Sequence, residues 1–226
     1  MTDASARTTQ ARTHSPADVR RLLGRGIETT WLAAVLFVPL IFGPSGWFSF
    51  FELPKVALVR SLATLLFILW TIDLALVAGR LDASAWTIMA HRVRGWLAEE
   101  PVRWTAVAAA ALLLATVVSA ALSPMPRVAL WGFEPGRTGQ PLYTTASLMV
   151  IFFAMATRIH APAQVWRLAG AVMAAGLISA LYGVLEHFDV DPFGLGVIFR
   201  QVGSTFGNPI FFGAVLLQVV PLAVIS

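Results

Sequence analysis

Long apolar runs separated by short polar connections dominate the chain from residue 30 onwards. Several of these runs approach the ~20 residues that a helix needs to cross a bilayer, and they lack the alternation typical of a membrane-spanning β-strand. They predict an all-α, polytopic transmembrane helical bundle with about six spans. The predicted spans are Thr30–Phe50 (broken near Gly43 and Pro44), Val56–Ala78, Trp104–Leu122, Tyr143–Ala156, Leu168–Phe188 and Pro209–Ile225.

The composition supports a membrane protein. Hydrophobic residues make up 58% of the chain and charged residues only 12%, whereas a soluble domain is about one quarter charged. The chain has no cysteine, which excludes disulfides, thiolate chemistry and cysteine-bound metal.

The basic residues predict the orientation. Residues 1–29 hold five of the sixteen basic residues and are predicted to form a disordered basic cytoplasmic tail, with the transmembrane domain at 30–226. Six further arginines lie in the connections on the same side as this tail, and five basic residues lie on the other side. The positive-inside rule therefore places the N-terminus in the cytoplasm. We expect this charge to report topology and not a nucleic-acid partner.

Two features belong to the predicted cytoplasmic side. Apolar residues recur at helical spacing within 79–103, which predicts a short interfacial helix, with a regulatory or partner surface as the alternative. Asp73 is the one acid well inside a predicted span, and such groups are functional candidates. A local ion pair with Arg80 is the favoured interpretation.

The predicted outward connections carry further candidates. Lys55 could bind an anion or form an exposed pair with Glu52. Arg127 and Arg137 project from a connection rich in proline and glycine, which forbid a regular helix through most of it. The aromatic residues of this connection suit sugar rings as well as lipid headgroups, and a generic lipid interface would also explain them.

The last outward connection contains Asp189 and Asp191, a spacing that some enzymes use to hold a divalent metal. A turn that ends a helix is the favoured interpretation, and His187 before it is favoured as a structural residue. We predict neither a metal site nor a cofactor.

The stretch GSTFGNP at 203–209 combines turn-forming residues with a helix start. Asn caps helices well, and Pro fits the first helical position. Glycines allow successive N–H groups to converge on an anion, hydroxyls add donors, and an arginine suits phosphate. A helix cap whose arginine touches lipid phosphates is the alternative. The residues predicted to hold a phosphate or pyrophosphate are Arg200, Gly203, Ser204, Thr205, Gly207 and Asn208.

The run RQVGSTFGNPIFFGAVLLQVVPL resembles the Arg-x-x-Gly-(Thr)-Phe-Gly-Asn-Pro-Asn signature of the O-antigen ligase and polymerase-like membrane glycosyltransferase superfamily. Looser likenesses are carried by SAALSPMPRVALWGFEPGRTGQ, LYGVLEHFDVDPF and FELPK, so the resemblance covers roughly residues 30–226. Arg200 matches the first pyrophosphate-binding arginine of the family. Ile210 departs from the signature, which has Asn at this position.

The resemblance implies an enzyme that transfers a glycan from a polyprenyl-pyrophosphate carrier to an acceptor, outside the inner membrane and without metal. The expected partners are this lipid-linked glycan and membrane lipid. The family's large outward loop, with its catalytic histidine, would lie beyond residue 226. We therefore expect the chain to be the N-terminal half of a longer protein or to need a partner chain. The alternatives are a non-catalytic protein that binds polyprenyl phosphate or lipid, and a structural membrane fragment.

Overall fold

The computed structural model describes residues 16–44, 49–78, 100–133, 141–193 and 202–225, together with seven positions between 87 and 98. Every regular element in these residues is helical, which confirms the all-α prediction for the described part of the chain. The elements are α1 Pro16–Leu40, α2 Glu52–Ala78, α3 Glu100–Ala121, α4 Pro126–Trp131, α5 Leu142–Arg158, α6 Pro162–His187, a 3₁₀ turn at Ser204–Phe206, and α7 Pro209–Ile225.

Four of these helices are long and apolar enough to cross a membrane, which indicates a membrane protein. They cover Asp18–Leu40, Glu52–Leu76, Val102–Ala121 and Pro162–His187. The apolar helices α5 and α7 have 17 residues each. At 1.5 Å per residue, each is about 25 Å long, somewhat less than the roughly 30 Å hydrocarbon core.

The largest difference from the predicted spans lies at α1. This helix begins at Pro16 and ends at Leu40, so residues 16–29, which the sequence analysis places in a disordered tail, are helical. The first turns of α1 expose Arg20 and Arg21, whereas Ile27 further along is buried. The apolar run on which the prediction depended begins only after these amphipathic turns. By contrast, α7 has the predicted bounds.

The core lies where α1, α2 and α5 meet. Its fully buried side chains are Ile27, Trp31, Leu66 and Ala154. Helix α1 also packs against α6, and α6 packs against α7. Elsewhere many large apolar side chains are exposed, such as Leu114 at 64%. In a membrane protein such apolar surfaces contact lipid. A helix can face lipid in this way because its backbone satisfies its own hydrogen bonds.

Asp73 is buried in α2 and pairs with arginines from two other helices. Its Oδ2 lies 2.5 Å from Nη2 of Arg158 in α5, and its Oδ1 lies 3.8 Å from Nε of Arg20 in α1. The predicted partner Arg80 lies outside the described residues, as does most of the predicted interfacial helix. These contacts join the start of α1 to the ends of α2 and α5.

Candidate functional site at the turn before α7

The turn at 203–208 lies at the end of the bundle opposite Asp73, where α1 and α6 end and α2 and α7 begin. Ser204–Phe206 form the 3₁₀ turn, and Gly207 closes it with φ 63°. The Oδ1 atom of Asn208 then accepts a hydrogen bond of 2.8 Å from the N–H of Ile210. This side-chain cap and Pro209 at the first helical position begin α7. The predicted helix start is therefore confirmed.

Both glycines of the turn are required by close packing. A Cβ atom at Gly207 would lie 2.1 Å from the ring of Phe51, and the φ of 63° also disfavours any other residue. A Cβ atom at Gly203 would lie 2.8 Å from the carbonyl carbon of Gly207. The glycines thus let the turn fold tightly on itself and against the aromatic residue that precedes α2.

Two successive N–H groups of the turn converge on an anion that the chain itself supplies. Oε2 of Glu186, in the last turn of α6, accepts hydrogen bonds of 2.9 Å from the N–H of Gly203 and 2.7 Å from the N–H of Ser204. Bonds to a charged acceptor are stronger than those between neutral groups. These two donors of the predicted phosphate cradle therefore already have a carboxylate partner.

The hydroxyls of Ser204 and Thr205 are also used within the protein. Oγ of Ser204 donates to the carbonyl of Ser179 in α6 at 2.5 Å. Oγ1 of Thr205 donates to the carbonyl of Pro39 in α1 at 2.9 Å and lies 3.1 Å from Oγ of Ser179. Both side chains are buried. They hold the turn against α1 and α6 and do not line an open surface.

Lys55 lies beside the turn at the start of α2. Its Nζ donates to the carbonyls of Val38, Pro39 and Ile41, at 3.3, 2.8 and 2.9 Å. The last carbonyls of a helix lack partners within it, and a cation there also suits the helix dipole. Lys55 therefore caps the end of α1, and its Nζ lies 5.0 Å from the ring centroid of Phe206.

The exposed pair between Lys55 and Glu52, one of the two interpretations of the sequence, is not formed. Glu52 instead accepts a hydrogen bond of 3.0 Å from Oγ of Ser49. Within the described part of the chain, Lys55 has no carboxylate partner, and its charge is stabilised there by the carbonyl dipoles and the ring of Phe206.

The other candidates fall into two groups. Arg200 and Arg137 lie outside the described residues. Arg127 is exposed at the start of α4 and lines a cleft together with Arg60. The structure therefore brings Lys55 to the turn and places Arg127 in a separate cleft.

The residues around Asp189 and Asp191 make ordinary contacts. Oδ1 of Asp191 accepts hydrogen bonds from the hydroxyl of Tyr182 and the N–H of Phe193, at 3.1 and 3.2 Å. The ring of His187 is exposed and packs edge-on against Phe188. In the residues that the structure describes, no group of three acidic or histidine side chains could hold a metal ion.

The sequence pattern does not single out two residues of these sites, Glu186 and Arg60. Glu186 is an acid in the last turn of a helix, where the helix dipole disfavours a negative charge. This unfavourable position indicates that its carboxylate binds a different segment of the chain. Arg60 is a cation inside the apolar run Val56–Ala78, but it entered the prediction only as a charge for topology.

No protein-family model, no curated protein and no solved structure matches this chain. The geometry and the sequence pattern are therefore the basis for a functional proposal. At the turn the geometry offers a hydrogen-bonded scaffold, a lysine without a carboxylate partner among the described residues, and the N-terminus of an apolar helix.

Proposed function

We propose that this protein acts in the transfer of a glycan from a polyprenyl-pyrophosphate carrier to an acceptor, as an O-antigen ligase-like membrane glycosyltransferase. The observation that carries the proposal is the turn at 203–208, which contacts α1, α2, α6 and α7 at one point of the bundle. This turn contains the glycines and the Asn-Pro pair of the signature that the chain resembles.

The hydrogen bonds of the turn restrict how a diphosphate would be held. Because the N–H groups of Gly203 and Ser204 bind Glu186, the proposal gives them a supporting role. Arg200, three residues before Gly203 in the sequence, supplies the planar donor group. Lys55 supplies positive charge, and the N-terminus of α7 adds its dipole. These groups would stabilise the charge that develops on the leaving diphosphate.

The proposal also sets the topology. Helices α5 and α7 count as the fourth and sixth spans of the inner membrane, and the N-terminus lies in the cytoplasm. The turn before α7 then lies at the outer face of the membrane. One observation supports this orientation, the excess of arginine on the predicted cytoplasmic side. The turn lies beside Lys55 at the start of α2, whereas Asp73 lies near the end of this helix, so the two are at opposite ends of the bundle.

One observation favours a second candidate, a membrane protein that binds polyprenyl phosphate or another lipid phosphate without chemistry. The donors of Gly203, Ser204 and Thr205 are occupied within the chain, and no general base is positioned among the residues of the turn. A binding protein needs only the guanidinium group of Arg200, the positive charge of Lys55 and the dipole of the helix terminus to hold its ligand.

The test uses the complete gene in its natural host. We expect deletion of the gene to cause accumulation of polyprenyl-pyrophosphate-linked glycan, and the wild-type gene to reverse this. The variant Arg200→Ala should insert normally but leave the lipid-linked glycan accumulated. The control Arg21→Ala removes an exposed arginine at the far end of α1 and should complement fully.

The outcomes separate the two candidates. If deletion leaves the level of lipid-linked glycan unchanged while the purified wild-type protein binds polyprenyl phosphate in an Arg200-dependent way, the lipid-binding function is correct. If Arg200→Ala complements as well as the wild type, Arg200 has no part in either function and the proposal is overturned.

A further inference from the structure

Arg60 is a cation within an apolar helix, and it is held in a fixed position. Its Nε and Nη2 donate to Oγ1 of Thr144 in α5 at 3.1 and 2.8 Å, and Nη2 also donates to the carbonyl of Trp131 in α4 at 3.1 Å. The guanidinium carbon lies 4.9 Å from the ring centroid of Tyr143. Charged residues inside membrane spans are costly and commonly mark functional sites.

Arg60 has no carboxylate partner among the described residues, in contrast to the arginines at the other end of the bundle. There, Arg158 pairs with Asp73, and Arg167 pairs with Glu28 at 2.6 Å. The interactions of Arg60 all involve neutral groups. They fix the direction of the guanidinium group but leave its full charge uncompensated.

A cleft of about 640 Å³ opens beside this guanidinium group. Its volume lies within the roughly 300–1,000 Å³ of typical ligand sites. Arg127 lines it from α4, is exposed, and has no hydrogen-bond or ion-pair partner in the part of the chain that the structure describes. The described lining consists of Arg60, Arg127, Val128, Trp131, Gly132 and Phe133.

The lining combines two guanidinium groups with flat apolar surfaces. Guanidinium groups bind phosphate oxygens through paired, charge-assisted hydrogen bonds. The rings of Trp131 and Phe133 are 55% and 69% exposed, and aromatic residues of this kind lie at the membrane–water interface. We propose that this cleft is a binding site for the phosphate ester of an amphiphilic molecule, with the phosphate on Arg60 and Arg127 and the apolar portion on the two rings.

This site is separate from the turn before α7. Lys55 and Arg60 are five residues apart, which at 3.6 residues per turn places them about 140° apart around α2. Lys55 faces the end of α1, whereas Arg60 faces α4 and α5. The proposal therefore goes beyond the proposed glycan transfer and does not depend on it.

The ligand chemistry has two possible sources, a phospholipid headgroup and a soluble phosphate ester. Native mass spectrometry of the full chain in detergent can distinguish them, with phosphatidylglycerol as the probe, phosphatidylcholine as the lipid without net charge, and hexyl phosphate as the soluble amphiphilic competitor. The variant is Arg127→Gln, at an exposed position outside the buried core. The matched control is Arg21→Gln, at an exposed arginine of α1.

We expect phosphatidylglycerol to remain bound to the wild type and to Arg21→Gln. Loss of a hydrogen bond to a charged group should weaken its binding to Arg127→Gln by about tenfold or more, and Arg127→Lys should restore part of the affinity. If hexyl phosphate displaces the lipid at comparable concentration, the natural ligand is a soluble amphiphilic ester; if it does not, the ligand is a phospholipid headgroup.

Three results would each overturn the proposal: equal binding of phosphatidylglycerol by the wild type and Arg127→Gln, equal binding of phosphatidylcholine and phosphatidylglycerol, or no retained ligand at all. Because glycan transfer is not measured here, none of these results bears on the function proposed for the turn.

Discussion

Asp73 and Arg158, 85 positions apart in the sequence, form an ion pair that joins α2 to α5 with a distance of 2.5 Å between Oδ2 and Nη2. The aspartate side chain is 6% exposed and that of the arginine 29%. Removing one partner of a buried pair leaves a buried charge without compensation, which costs far more than the pair itself contributes.

We therefore expect Arg158→Ala to destabilise the protein by about 1–3 kcal/mol, below the ~3–5 kcal/mol of a fully buried pair, because Arg20 remains near Asp73. The matched control is Arg167→Ala, whose pair with Glu28 is half exposed on the arginine side and should contribute only about 0–1 kcal/mol. Thermal unfolding in detergent measures both. Equal shifts of the melting temperature would mean that the burial of Asp73 does not increase the cost of removing its partner.

The carboxylate of Glu186 is expected to hold the turn before α7 closed. Glu186→Ala leaves the N–H groups of Gly203 and Ser204 without their acceptor, and each unpaired buried donor costs about 1–3 kcal/mol. Hydrogen–deuterium exchange at 203–205 should become faster. The control Glu52→Ala removes a carboxylate whose described partner is Ser49 and should leave this exchange unchanged. Unaltered exchange in Glu186→Ala would show that the carboxylate does not hold the turn.

Gly207 and Gly213 offer a pair of contrasting glycine substitutions. Gly207→Ala would place a Cβ 2.1 Å from the ring of Phe51 in a backbone conformation with φ 63°, so we expect a loss of more than about 1 kcal/mol from the backbone alone. Gly213 lies in α7 with no heavy atom within 4 Å of an added Cβ. Gly213→Ala should be neutral or stabilise by up to about 1 kcal/mol.

Thermal unfolding of the two variants in the same detergent provides the comparison. Adding Phe51→Ala to Gly207→Ala should recover part of the lost stability by removing the clash, but not the backbone cost. A Gly207→Ala variant as stable as the wild type would contradict the tight packing of the turn.

The chain has no cysteine, so single introduced cysteines report topology directly. We expect a cysteine at position 127 or 52 to react with a membrane-impermeant maleimide in intact cells. A cysteine at position 21 or 167 should react only after the membrane is permeabilised. Mass-shift electrophoresis measures the labelling, and reaction of position 21 in intact cells would reverse the proposed orientation.

The sequence predicts local features of this fold better than distant contacts. The start of α7 follows from Asn208 and Pro209 alone, because a helix cap depends on adjacent residues. The start of α1 was placed too late, because the polar turns around Arg20 and Arg21 lack the apolar run that marks a span. Their helix is built partly by tertiary contacts, including the one from Arg20 to Asp73.

The partners of the turn could not be predicted for the same reason. The glycines indicate N–H groups that converge on an anion, but Glu186 lies 17 residues before Gly203 and reaches the turn only when α6 packs beside it. Part of the requirement for Gly207 likewise comes from Phe51, which is distant in sequence. Lys55 was recognised as a cation, but its carbonyl partners exist only once α1 ends at Leu40.

The carbonyl oxygen of Pro39 accepts hydrogen bonds from both Lys55 and Thr205. A single oxygen atom at the end of α1 thus contacts both the first turn of α2 and the turn that precedes α7. A tilt of α1 at this end would therefore strain the contacts of α2 and of the turn before α7 together.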